Sequence, residues 1–189
     1  QNLKAGTVVV TVITCASLFI LLLTVGWGIV LLVRLSDPRL CALIALHDLG
    51  KASPAFQNKW EPGADRVRQT GLTWDAHVGS ASHGVVTERC LPDLLRDRGW
   101  ACKTSDHVSS AIGAHHGHRA TRRELRAARY DSIGAATCEK TRGDLIDAVL
   151  SVLGARRIPT SASLDGAAYM RLAGLTSFAD WVGSDTRHF

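Results

Sequence analysis

Read as a pattern of apolar and polar positions, the chain has two unlike parts. From Ala5 to Val33 the stretch AGTVVVTVITCASLFILLLTVGWGIVLLV carries no charge. About 20 helical residues cross the apolar core of a bilayer, so residues 5–33 are long enough for a membrane-spanning helix. Lys4 and Arg34 bracket the run, and Arg39 and Lys51 follow it. That excess of positive charge on the C-terminal side leaves the rest of the chain cytoplasmic by the positive-inside rule. A cleavable signal peptide has a shorter apolar region that ends in a small-residue cleavage site. The alternative is a long buried helix, or helix pair, interrupted near Gly26 and Gly28. Residues 1–36 are therefore read as an apolar N-terminal segment and candidate membrane anchor, and residues 37–189 as a separate domain.

Past Arg34 the pattern turns helical. In SDPRLCALIALHDLG, Asp37 is a plausible N-cap, Pro38 suits the first helical position and Gly50 is the stop. His47 and Asp48 then fall in the last turn of a largely buried helix. Pro54, Pro62, Gly63, Gly71 and Gly79 make residues 52–80 mostly loop. Val85, Val86, Leu91, Leu94 and Leu95 form the apolar stripe of a helix from about Ser82 to Arg98. A third helix starts near Ser105 and runs into AIGAHHGH at 111–118. Thr121 and Glu124 make a capping box that opens a fourth. Another covers roughly 143–155, and the last spans Gly166 to Val182. No strand-like alternation follows the apolar run, so the domain is all-α, preceded by one long apolar helix.

Composition agrees, since helix formers are plentiful between Pro38 and Phe189 and aromatic residues are 6% of the chain. The formal net charge of +5 favours a polyanionic partner, namely nucleic acid or an anionic membrane surface. Five cysteines, at 15, 41, 90, 102 and 138, contain no CxxC pair. They read as small buried residues or thiols in a reducing compartment, not as a disulfide framework or zinc knuckle.

Candidate chemistry sits at the helix ends. His47, His83, His115 and His116 lie at or beside them, with His77 and His118 flanking, and Asp48 and Asp180 offer carboxylates. Imidazole with carboxylate suits manganese, iron, nickel, cobalt or zinc, one or two ions, with magnesium a further option. One carboxylate between two histidine groups can bridge a pair of ions, which lower the pKa of a water and clamp the oxygens of an in-line displacement at phosphorus. A lone histidine is usually a hydrogen-bonded or surface residue. Two adjacent ones inside GAHHGH, with a glycine on each side, are harder to read so.

LIALHDLGKASPAFQ (43–57), SHGVVTERCLPDLL (82–95), AIGAHHGH (111–118) and LAGLTSFADWVGSD (172–185) occur in that order. Together they resemble the HD-type nuclease domain of CRISPR-associated type I interference nucleases, over about residues 38–187. The first and last blocks are the most specific. The resemblance implies an HD-domain helical bundle that binds one or two transition-metal ions. It also implies a nuclease that cuts single-stranded DNA displaced by an RNA-guided surveillance complex in antiviral defence. Carried over, His47 and Asp48 are the HD ligands, with Asp48 bridging both ions. His83, His115 and His116 hold the second ion, and Asp180 closes the first site. Lys51 approaches the scissile phosphate; otherwise it is an exposed lysine meeting the negative end of a helix dipole.

Two departures stand out. The family supplies one more histidine from a helix upstream of the HD pair, and residues 1–46 contain none. The first ion is thus expected to lack a neutral ligand. A helicase module often follows in this family, and no phosphate-cradling GxxxxGK[ST] occurs here, so unwinding is expected from a separate helicase.

HRATRRELRAARY places Arg119, Arg122, Arg123, Arg126 and Arg129 after the histidine pair, against a single Glu124. Arg122, Arg126 and Arg129 follow i, i+4, i+7 spacing and share one helical face. Arginine forks suit phosphates, and a basic groove beside a metal site tracks a single strand. The plainer reading is a solvated helix face. Two other functions compete with the nuclease: an HD phosphohydrolase of small nucleotides, and a degenerate metal-binding module that does not cut.

Overall fold

Polar residues inside apolar helix stripes decide how this bundle closes. The structure is a computed structural model that describes residues 38–72, 74, 77–155 and 164–185. In chain order the helices are α1 (Pro38–Ala45), a 3-10 turn (Leu46–Lys51), α2 (Pro54–Gln57), α3 (Glu61–Gln69), α4 (His83–Arg96) and α5 (Cys102–Gly113). Then follow α6 (Arg122–Ala127), α7 (Tyr130–Ile133), α8 (Ala136–Val152) and α9 (Gly166–Ser184). Among the described residues there is no strand, as the all-α reading requires. The expected N-cap Asp37 and the apolar run at 5–33 lie outside the described residues. None of the described helices is long and apolar enough to cross a membrane.

The core gathers Leu43, Ile44 and Leu46 from the first segment with Leu91, Leu94 and Leu95 of α4. Val108 and Ile112 of α5, Leu145, Ile146 and Val149 of α8, and Leu172 and Ala179 of α9 complete it. Each fully buried aliphatic side chain contributes roughly 1.5–3 kcal/mol by leaving water. Of the described cysteines, Cys41 and Cys138 are buried, Cys102 is exposed, and none forms a disulfide.

Several expected boundaries need correction. The first α-helix stops at Ala45, and His47 and Asp48 sit in the 3-10 turn that follows. Residues 52–80 hold two short helices where a loop is expected. Pro54 and Pro62 stand in the first turns of α2 and α3, where a proline starts a helix because its missing N–H has no partner to lose. Likewise α5 begins at Cys102, not near Ser105. α8 begins at Ala136, because Cys138 and Arg142 continue inward the stripe of Leu145, Ile146 and Val149. Gly143 is interior to α8, and its carbonyl accepts from Arg98 Nη2 at 3.0 Å.

Other local signals hold. Ser82 caps α4, accepting from Val85 N at 3.3 Å. The Thr121–Glu124 capping box forms in both directions. Asp165 caps α9 through Ala168 N at 2.7 Å.

Candidate metal centre

Three close backbone approaches bring the histidines together. A Cβ on Gly50 would meet the His83 carbonyl oxygen at 1.9 Å, and one on Gly84 would meet the Gly113 carbonyl oxygen at 2.5 Å. Gly113 in turn faces Glu88 Cβ, at 2.8 Å from where its own Cβ would lie. Only glycine lets the 3-10 turn, α4 and α5 pack this tightly. Gly50 is therefore more than a helix stop.

Side chains then secure the turn. Thr87 of α4 accepts from Gly50 N at 2.9 Å and donates to the His47 carbonyl at 3.0 Å. Ser53 donates to the Gly50 carbonyl at 2.6 Å, and Gln57 to the Lys51 carbonyl at 2.8 Å. The SPAFQ block thus ties the polar backbone of HDLGK in place. On the other side, buried Glu88 accepts from Ala120 N at 3.2 Å and holds the segment after the histidine pair. Burial pushes the Glu88 carboxyl above its ordinary pKa. Thr87 and Glu88 escaped the sequence reading. Their signal was a pair of polar residues between Val86 and Leu91 on a buried helix.

Two histidines share one local device. The Nδ1 of His47 donates to the Ile44 carbonyl at 2.8 Å, and the Nδ1 of His115 to the Ile112 carbonyl at 2.8 Å. A carbonyl only accepts, so each Nδ1 carries the proton when the ring is neutral. Each Nε2 is then left with a free lone pair, the arrangement that orients metal-ligating histidines. Both residues are 0% exposed.

The donors meet in two groups. His83, His115 and His116 form one, and His47, Asp48 and Asp180 the other. His83 Nε2 lies 3.0 Å from the Nε2 of both His115 and His116. Ligands about 2.0–2.1 Å from one ion are separated by roughly this distance when adjacent in its shell. In the second group, His47 Nε2 is 3.3 Å from Asp48 Oδ2 and 3.5 Å from Asp180 Oδ1. Asp48 Oδ1 turns the other way, 3.4 Å from His83 Nε2. Asp180 Oδ2 likewise lies 3.7 Å from His116 Nδ1.

These residues fit a cation on two observations. His47 Nε2 and Asp48 Oδ1 are buried without a hydrogen-bond partner, an expensive state for polar atoms unless something binds them. The donor set, imidazole plus carboxylate, is the one first-row divalent metals take.

Protonation separates the groups. Burial opposes charge on His47, but the Asp180 and Asp48 carboxylates facing its Nε2 overcome it and raise the imidazole to about 9. Burial resists ionisation of Asp48, yet the His47 and Lys51 charges hold its carboxyl well below the usual range. The same opposition of burial and His47 leaves Asp180 lowered. Burial lowers His83 and His115 to about 4 each, with neighbouring imidazoles adding to the effect. Without metal at neutral pH, one group is an ion-paired imidazolium, and in the other His83 and His115 are neutral.

Lys51, expected to approach the scissile phosphate, donates from its Nζ to Asp48 Oδ2 at 2.6 Å, on the carboxylate between the two groups. Among the arginines, Arg122, Arg123 and Arg126 are exposed on α6. Arg129 does not share their face, because α6 ends at Ala127 and Ala128 turns the chain out of helical geometry. Arg119 points its Nε at Ser110 Oγ, 3.0 Å away, with its guanidinium 5.8 Å from the Tyr169 ring. Glu124 is engaged by Thr121 and His118, so His118 faces that acid at 3.0 Å and is in neither donor group.

An all-helical bundle with a His-Asp pair in one of two converging donor groups defines the HD class of domain. Residues 33–189 match the family model of the Cas3 HD domain, and the chain belongs to that family. It is 39% identical over 151 residues to the CRISPR-associated endonuclease/helicase Cas3 of Thermus thermophilus, covering 78% of this chain. The chain spans only 16% of that relative's length.

Among solved structures, one of a CRISPR-associated protein aligns with a TM-score of 0.73 and 28% identity, covering 88% of this chain and 19% of that one. The Thermus thermophilus Cas3 HD domain, crystallised in the presence of Ni2+, aligns with a TM-score of 0.62 and 29% identity. That alignment covers 88% of this chain and 70% of the other.

Proposed function

We propose that this chain is a metal-dependent nuclease that cuts single-stranded DNA in CRISPR defence. Its partners would be an RNA-guided surveillance complex and a helicase activity outside these 189 residues. The observation that carries this reading is Asp48, whose oxygens face His47 Nε2 at 3.3 Å and His83 Nε2 at 3.4 Å. His47, Asp48 and Asp180 would hold one ion, and His83, His115, His116 and Asp48 the other. Such ions, when bound, supply positive charge to the phosphoryl oxygens and lower the pKa of the attacking water. The relative crystallised in the presence of Ni2+ supports a transition metal.

The chain's own residues do the rest. Thr87, Ser53 and Gln57 keep the HD turn in place, while the Ile44 and Ile112 carbonyls orient two imidazoles. Lys51 neutralises Asp48 and stands at the cluster as a compact cation. Arg122, Arg123 and Arg126 offer exposed forks to a polyanion. His116 is half exposed, so the cluster opens to the surface, as an extended polymer requires and a closed nucleotide pocket does not.

The test is turnover with added manganese or nickel. End-labelled single-stranded DNA and nucleotide monophosphates are offered in parallel. Cleavage of DNA alone supports the nuclease, and hydrolysis of monophosphates alone the small-nucleotide phosphohydrolase. Turnover of neither supports the degenerate module.

A further inference from the structure

The arginine stretch sets one cation, Arg119, against a ring, that of Tyr169. Rings and cations interleave more densely on α2 and α3, against the donor cluster. The Phe56 ring packs edge-on to His83, with centroids 5.5 Å apart. Two ammonium groups flank it, Lys51 Nζ at 5.6 Å and Lys59 Nζ at 5.3 Å from its centroid. Beyond them stands Trp60, 61% exposed, with the Arg66 guanidinium 5.7 Å from its ring.

Trp60 is exposed yet held. A Cβ on Gly63 would meet Trp60 Cε3 at 2.5 Å, so the indole rests on bare backbone in the first turn of α3 and leaves most of its surface to solvent. The segment from Lys59 to Arg68 carries three cations and two carboxylates. Glu61 and Asp65 both pair with Arg68 at 3.0 Å, and among the described residues no carboxylate pairs with Lys59 or Arg66. A large exposed ring set among unpaired cations is how proteins bind single strands without reading sequence, by stacking bases and tracking phosphates.

We infer that α2 and α3 form the platform along which a single strand reaches the donor cluster. Trp60 stacks a base, Lys59 and Arg66 take flanking phosphates, and Phe56 lies between them and His83. This rests on the single-stranded DNA reading above and adds the surface that grips the bases.

The test measures binding by the full chain in a chelator, so that no cutting intervenes. The probes are a fluorescent oligothymidylate and an abasic oligonucleotide of equal length. The wild type binds the thymidylate more tightly than the abasic strand. Trp60→Ala weakens thymidylate binding by about tenfold and abolishes the preference, as expected for one lost stacking contact. Lys59→Gln with Arg66→Gln reduces the slope of log affinity against log salt by about 1.4, for two lost phosphate contacts on a single strand. Arg122→Gln with Arg126→Gln leaves the preference for bases intact. A wild type that binds while Trp60→Ala keeps both affinity and preference overturns this platform and leaves the nuclease reading standing. A wild type that binds neither strand overturns both.

Discussion

Asp48 presents its Oδ1 to His83 Nε2 at 3.4 Å, across the boundary between the two donor groups. Its Oδ2 serves His47 and Lys51 on the other side. Asp48→Asn keeps the shape and removes the charge that both groups need. Cleavage of single-stranded DNA is expected to fall by at least about a hundredfold. An assay in saturating manganese checks this, with circular dichroism to confirm that the variant folds.

The two groups should fill unequally. His83 and His115 sit at about 4, so at pH 7 they offer free lone pairs. His47, at about 9, must lose a proton before its Nε2 can bind. Among the described residues its group also offers one imidazole and no second neutral donor. Calorimetric titration with nickel at pH 7 should show one tight event in which His83 and His115 release no proton. A weaker event should follow with release of about one proton, read from buffers of different ionisation enthalpy. Two equivalent tight events would mean that another group supplies the missing ligand.

The metal-free protein should be most stable near pH 6.5. His47 is raised in the fold, so its contribution is complete below about 6.5 and lost as pH climbs through about 9. His83 and His115 are lowered, so the unfolded chain binds more protons between about 6.5 and 4, and stability falls as pH drops through that window. Thermal melts in chelator from pH 4 to 10 measure this. A melting temperature that stays flat between 6.5 and 9 would contradict the His47 ion pairs.

Gly50→Ala should damage both fold and site. The new Cβ would fall 1.9 Å from the His83 carbonyl oxygen, which a backbone cannot yield cheaply. A cost of about 1–3 kcal/mol is expected for this overpacking. Metal affinity should also weaken, because the turn bearing His47 and Asp48 must shift from α4. Denaturant unfolding and nickel titration read the two effects separately.

The donors were legible because motifs name them. His47, Asp48, His83, His115, His116 and Asp180 were all marked by local sequence, and the structure gathers them. What local sequence did not carry was the packing between segments. Gly50 reads as a stop signal, whereas its role comes from α4 lying against it. Thr87 and Glu88 look like breaks in an apolar stripe until their backbone partners across the bundle appear. Pro54 and Pro62 read as loop markers, so the helical stretch around Phe56 and Trp60 reads as loop. The spacing of Arg129 fitted one helical face only on the assumption that α6 continues, and it ends at Ala127.

The central claim is that these donors hold metal on either side of Asp48, and anomalous diffraction from a crystal soaked in nickel tests it most directly. A strong peak is expected about 2.0–2.2 Å from the Nε2 atoms of His83 and His115 and the facing nitrogen of His116. A weaker peak is expected among His47, Asp48 and Asp180, about 3.5–4 Å from the first. Nickel bound only elsewhere on the protein, with no density between these side chains, would contradict the account.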